Sequence, residues 1–113
     1  MDKKAVIAAL GALAQETRLD IFRLLVQAGG AGMPAGAIGE SLGLASATLS
    51  FHLTQLRQAG LVTFRREGRS LIYAAEYAAM NGLVGFLTEN CCGRDRGCGS
   101  GLGGLSREEG LRA

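Results

Sequence analysis

The sequence predicts a mainly α-helical domain with one small β-hairpin, in the order α-α-α-α-β-β-α. Three observations carry that prediction. Apolar residues recur at three- and four-residue spacing from Val6 to Leu56, and again from Met80 to Leu87. Only Leu61 to Glu67 and Ser70 to Ala75 alternate apolar with polar residues, on either side of Gly68-Arg69. Glycine and the single proline fall between these stretches, at Gly29-Gly30-Ala31-Gly32, Pro34, Gly43 and Gly60, where helices must stop.

The first helix is expected over Lys3 to Leu13, with Val6, Leu10 and Leu13 on one face. Lys3-Lys4 followed by AVIAALGALA also has the outline of a secretion signal. That candidate ends at Ala14, just under the usual ~15–30 residues, and the helical face favours a structural helix. A second helix begins near Glu16 or Thr17 and runs to about Gln27, with Leu19, Phe22, Leu25 and Val26 apolar. Pro34 blocks its simple continuation. A third, short helix covers Ala35 to Leu42, and Gly43 suits the left-handed residue that closes it. Ser46 can cap a fourth helix whose buried stripe is Leu49, Leu53 and Leu56, and Gly60 ends it. The hairpin follows, and a last helix runs from Tyr77 to about Glu89 with Met80, Leu83, Val84 and Leu87 on one face. Beyond Cys92 the periodicity is lost. Six of the twelve residues from Gly93 to Gly104 are glycine, so a folded domain is expected over 1–92 and a flexible tail over 93–113.

The third and fourth helices, joined at Gly43-Leu44, make a helix-turn-helix, and the hairpin after them makes a wing. The net charge of +2 does not by itself mark a nucleic-acid binder, but its distribution does more. Four arginines (Arg57, Arg65, Arg66, Arg69) stand against one acid, Glu67, between positions 57 and 69. A helix with a polar, uncharged leading face followed by a basic hairpin is the arrangement that reads a DNA groove and grips the flanking phosphates. On the fourth helix the candidate contacts are Ser46, Thr48, Ser50 and Gln55, with side chains suited to base edges or phosphates. His52 can reach a phosphate or hydrogen-bond within the domain. The wing cations are Arg65, Arg66 and Arg69. Strand alternation points Arg65 and Arg66 to opposite faces, so only one of them is expected to join Arg69 on DNA. No run is long and apolar enough to span a bilayer, and a cytoplasmic protein with reduced cysteines is expected.

Three segments resemble the ArsR/SmtB family of winged-helix bacterial metalloregulators: LAQETRLDIFRLL (Leu13–Leu25), IGESLGLASATLSFHLTQLRQAGLV (Ile38–Val62) and FRREGRSLIY (Phe64–Tyr73). Together they span most of the first 75 residues in order. The resemblance implies a homodimer held by the first and last helices. It also implies binding to double-stranded operator DNA with an inverted repeat, and release on binding an inducing metal ion. Two family sites are missing. The third-helix cysteine pair has no counterpart in GMPAGAIGES, and the only histidine is His52, not on the last helix.

All three cysteines lie within eight residues, as Cys91, Cys92 and Cys98, where the last helix stops. Thiolates select soft ions, and three of them without histidine suit As(III) or Sb(III). Structural zinc would need a fourth ligand from Asp95, Glu89 or water, and cadmium is a further candidate. Arg94 and Arg96 can favour the thiolate form, while Gly93 and Gly97 let Cys98 fold back. The resemblance extends here, since some arsenic-responsive members carry a vicinal pair plus a third cysteine at the end of this helix. The expected function is therefore a repressor that leaves its operator when As(III) or Sb(III) binds the three cysteines. Ordinary buried cysteines, and a redox switch through a Cys91–Cys98 or Cys92–Cys98 disulfide, are the alternatives. A thiol enzyme or metal carrier fits poorly. No histidine base lies near the cysteines, and no Cys-x-x-Cys precedes a helix in an α/β pattern.

Overall fold

The computed structural model describes residues 1–93. They form α1 (Lys3–Leu13), α2 (Glu16–Ala28), β1 (Met33–Pro34), α3 (Ala35–Leu42), α4 (Ser46–Gln58), β2 (Val62–Glu67), β3 (Ser70–Ala75) and α5 (Tyr77–Thr88). The expectations for the tail, including the position of Cys98, fall outside the described residues.

Local signals set several of the helix ends. The Asp2 carboxylate accepts the Ala5 N–H (2.8 Å) and the Gln15 amide oxygen accepts the Arg18 N–H (2.9 Å), so α1 and α2 start on capped amides. Gly43 closes α3 in the left-handed region at φ +67°. At the end of α4 the Gly60 N–H reaches the Arg57 carbonyl and the Leu61 N–H reaches that of Leu56, the paired bonds of a Schellman motif with Gly60 at φ +78°. Ser46 is not the cap of α4. Ala45 holds that place without a side-chain bond, and the turn after Gly43 delivers Ser46 into the first helical turn.

The helices wrap a core in which Ile21, Leu25, Ile38, Leu53, Leu56, Leu61 and Val62 are fully buried. The α4 stripe is inward as expected, and His52 joins it. The inward face of α1 is Val6, Ala9 and Ala12, whereas Leu10 is 42% exposed. Small residues let α1 lie close to its neighbours and turn its larger side chains outward. The hydroxyl of Tyr77 donates to the Val26 carbonyl (2.9 Å), pinning the start of α5 to the end of α2.

β2 and β3 pair as an antiparallel hairpin from Val62↔Ala75 to Glu67↔Ser70. Gly68, at φ +63°, takes the first position of the two-residue turn. β1, which no sequence pattern announces, adds to β3 through Met33↔Tyr73 and Pro34↔Ile72, giving the order β1-β3-β2. A proline is tolerated there because β1 is an edge strand.

The approach to β1 is tight. Gly32 sits at φ +76°, and a Cβ on it would collide with the Tyr73 carbonyl oxygen and lie 3.1 Å from Ile72 Cγ2. Gly32→Ala is therefore expected to lower stability by about 2–3 kcal/mol, read from urea unfolding midpoints. A change below about 0.5 kcal/mol, the scale of a neutral surface substitution, would contradict that packing.

Candidate nucleic-acid interface

The turn between α3 and α4 is built on close approach. The Leu44 N–H bonds to the Gly39 carbonyl (2.9 Å), and a Cβ on Gly39 would lie 3.2 Å from the Leu44 carbonyl oxygen. The small residue lets α4 leave at the angle that exposes its outer face. Ser46, Thr48 and Ser50 are exposed on that face, and Gln55 is half-buried.

These four side chains do not share one line. At 100° per residue, Ser46 and Ser50 lie on the side of Arg57, and Thr48 and Gln55 on the side of Phe51. The clefts agree. Ser46 and Ser50 line a cleft of about 940 Å³ with Gly36, Gly39 and Glu40 of α3 and Leu71 and Tyr73 of β3. Gln55 lines a smaller one of about 300 Å³ with Gly11 and Ala12 of α1 and with Arg18. The serines thus look toward the wing, while Gln55 looks toward the first helix.

His52 is inside the domain, 8% exposed. Its Nδ1 stands 3.2 Å from a terminal nitrogen of Arg18, whose Nε donates to the Ala12 carbonyl (2.7 Å). Arginine only donates, so Nδ1 accepts and the ring is neutral. Burial first, and the Arg18 charge second, hold the His52 pKa below its usual 6.5. Of the two roles open to it, the internal hydrogen bond is the one the geometry supplies. Because the folded pKa is lowered, this stability is present above pH 6.5 and is lost as the pH falls toward the lowered value. As the chain's one histidine, it is the side chain whose ordinary pKa falls in that window. Urea midpoints of the native protein are expected to fall between about pH 7.5 and 5.5, and the drop should shrink in His52→Gln. An equal drop in both proteins would remove His52 as the cause.

Two aromatic-stacked positions stand on this surface beside the candidate contacts. Phe51, 57% exposed, lies in the middle of the outer face of α4. The Arg57 guanidinium lies over the Phe64 ring at 4.7 Å, and Phe64 in turn meets Tyr73 at 5.5 Å. This stack joins the end of α4 to the wing. The signals for these residues in the sequence are an exposed aromatic within a recognition helix and an arginine within the basic run.

The wing arginines separate as alternation requires. Arg66 shares the face of Phe64, the side turned to α4, and Arg69 is exposed at the hairpin tip. Arg65 is on the other face, bonded to Glu67 Oε2 (2.7 Å) and to the Ala31 carbonyl (2.9 Å).

At the far end of the domain, α5 stops at Thr88, and Asn90 and Cys92 take left-handed φ values of 59° and 58°. The Cys91 thiol is free and exposed, and its sulfur is 3.5 Å from that of Cys92. Among the described residues, no three His, Cys, Asp or Glu side chains gather as a metal site. The third cysteine, Cys98, is outside them. Also among the described residues, no helix is long and apolar enough to cross a membrane.

A family described as a helix-turn-helix domain matches residues 13–64. The nodulation protein NolR of Rhizobium meliloti is 32% identical over 88 residues, covering 78% of this chain and 70% of that one. An ArsR-like transcriptional regulator from Rhodococcus sp. RHA1 superimposes with a TM-score of 0.70 at 26% identity, over 92% of this chain and 96% of that one. The homodimeric winged helix-turn-helix DNA-binding domain of a possible ArsR-family regulator from Mycobacterium bovis superimposes with a TM-score of 0.61 at 32% identity. That match covers 77% of this chain and 81% of the other.

Proposed function

The chain belongs to the ArsR-like family of winged helix-turn-helix transcriptional regulators, and we propose that it is a homodimeric repressor released from its operator by trivalent arsenic or antimony. DNA binding, dimerisation and a regulatory rather than enzymatic role come with the family. The operator form and the inducer are the proposal.

The observation that supports the inducer is the free, exposed Cys91 thiol at the end of α5, with the Cys92 sulfur 3.5 Å away. That separation lies within the span one thiophilic ion with bonds of about 2.3 Å can bridge. Cys92 is disulfide-bonded in the structure, so after its reduction Cys91 and Cys92 would hold the ion together with Cys98, and the ion would supply a soft centre that ties the tail to the helix end. α5 packs against α1, and Arg18 links the end of α1 to His52 on α4. A shift at the cysteines thus has a packed route to the reading helix.

On DNA, Ser46, Thr48 and Ser50 read or position along the major groove, with Gln55 at the edge toward α1. Arg66 and Arg69 hold phosphates beside the groove, and His52 supports the helix from within. A homodimer places two such helices on an inverted repeat with half-sites roughly 34–36 Å apart. Footprinting of operator candidates tests this directly. Two protected half-sites one helical turn apart are expected, and a single unpaired half-site would count against the inverted repeat.

The disulfide-bonded state of Cys92, beside the free, exposed Cys91 thiol, favours a second reading in which oxidation is the trigger. Release of DNA by hydrogen peroxide alone, restored by dithiothreitol, would select it.

A further inference from the structure

We infer that Arg65 is a strut that sets the position of the wing rather than one of its DNA contacts. The inference rests on the DNA-binding role of the wing. β2 is separated from β1 by β3, and Ala31 lies just before β1. To reach the Ala31 carbonyl, the Arg65 side chain must therefore cross the face of the sheet, where its register partner is Ile72. Its guanidinium is committed at two places. Nε donates to Glu67 Oε2 at 2.7 Å and a terminal nitrogen donates to Ala31 O at 2.9 Å. Glu67, the last residue of β2, fixes the head of the side chain from the wing, and Ala31 fixes it from the loop.

A second observation bears on the same place. Gly32, next to Ala31, is pressed against the Tyr73 carbonyl and the Ile72 side chain so closely that no Cβ fits. The loop is thus seated on β3 by packing and tied to β2 by Arg65. Without the tie, the hairpin is held to the loop through β3 alone. Arg66, on the opposite face, and Arg69, at the tip, carry no such bonds among the described residues and remain for phosphate. An arginine fork is needed here, because one lysine ammonium cannot span the two acceptors in the same directions.

The test separates a strut from a phosphate contact by salt dependence. Operator affinity of the full chain is measured by anisotropy at several salt concentrations for the native protein, Arg65→Ala, Arg69→Ala and Glu67→Ala. A lost phosphate contact flattens the log–log slope by about 0.9 per contact, so by about 1.8 for a dimer. Arg69→Ala is expected to do this. Arg65→Ala is expected to weaken binding about threefold to tenfold at every salt concentration with the slope unchanged, the scale of an exposed pair lost twice. Glu67→Ala gives the opposite sign for the two roles. Removing an acid near DNA strengthens binding by charge alone, whereas loss of the strut weakens it. Weaker binding by Glu67→Ala supports the strut. A flattened slope in Arg65→Ala, tighter binding in Glu67→Ala, or no effect of either substitution overturns it. If the native protein binds no duplex, the DNA reading fails instead.

Discussion

Cys91→Ser protein is expected to bind its operator within about twofold of the native affinity and to stay bound when arsenite is added. The first half follows from position. Cys91 is exposed beyond the end of α5, and its backbone N–H bonds to the Thr88 carbonyl whatever the side chain. A surface substitution away from core and cap features shifts stability by no more than about 0.5 kcal/mol, or roughly twofold. The second half follows from ligand chemistry. A serine hydroxyl is a hard, neutral donor at neutral pH and does not replace a thiolate on a soft ion. The remaining coupling has little to act on. In the native protein a coupling of ~1–3 kcal/mol corresponds to a ~5–150-fold loss of operator affinity, and linkage requires DNA to weaken arsenite binding by the same factor. Anisotropy of a labelled operator measures both halves. Release that persists in Cys91→Ser would remove this cysteine from the site.

Val84→Glu is expected to give a folded monomer that has lost most of its operator affinity. Val84 and Leu87 on α5 are 55% and 59% exposed, and Ile7 and Leu10 on α1 are 62% and 42% exposed. The two helices pack together, and each leaves large apolar side chains that the folded chain does not cover. A relative of this chain is a homodimer, and a second copy is the expected cover for these side chains. Glutamate at Val84 faces water in the monomer at little cost, but in the dimer it would be buried without a partner. Joining two reading heads raises avidity by about 10²–10⁴, so a monomer should bind at least about a hundredfold more weakly. Sedimentation equilibrium and anisotropy together check this. A stable dimer in Val84→Glu would place the interface elsewhere.

Much of this architecture is written locally. Gly43 and Gly60 stop α3 and α4 because those turns need a left-handed residue, and the sequence shows them directly. Leu49, Leu53 and Leu56 mark the inward stripe of α4 by spacing alone. The features that escape a sequence reading depend on distant partners. β1 has two residues and no alternation, and only the edge of β3 makes it a strand. On α1 the periodicity marks Val6, Leu10 and Leu13; Val6 is buried and Leu13 packs against the core, but Leu10 is exposed while Ala9 and Ala12 face inward, because close helix packing uses small residues. His52 and Arg65 both have the chemistry of DNA contacts. Each is bonded to a residue 34 positions away, a pairing that no local pattern reports. The division of α4 into a wing side and an α1 side also needs the neighbouring elements in place.

The most direct measurement is an arsenite titration of the reduced protein bound to a fluorescently labelled inverted-repeat operator. A fall in anisotropy at micromolar arsenite, reversed by a competing dithiol and absent in Cys91→Ser, is the expected result. An operator complex that forms tightly and does not respond to arsenite at any concentration would contradict the arsenic-released repressor.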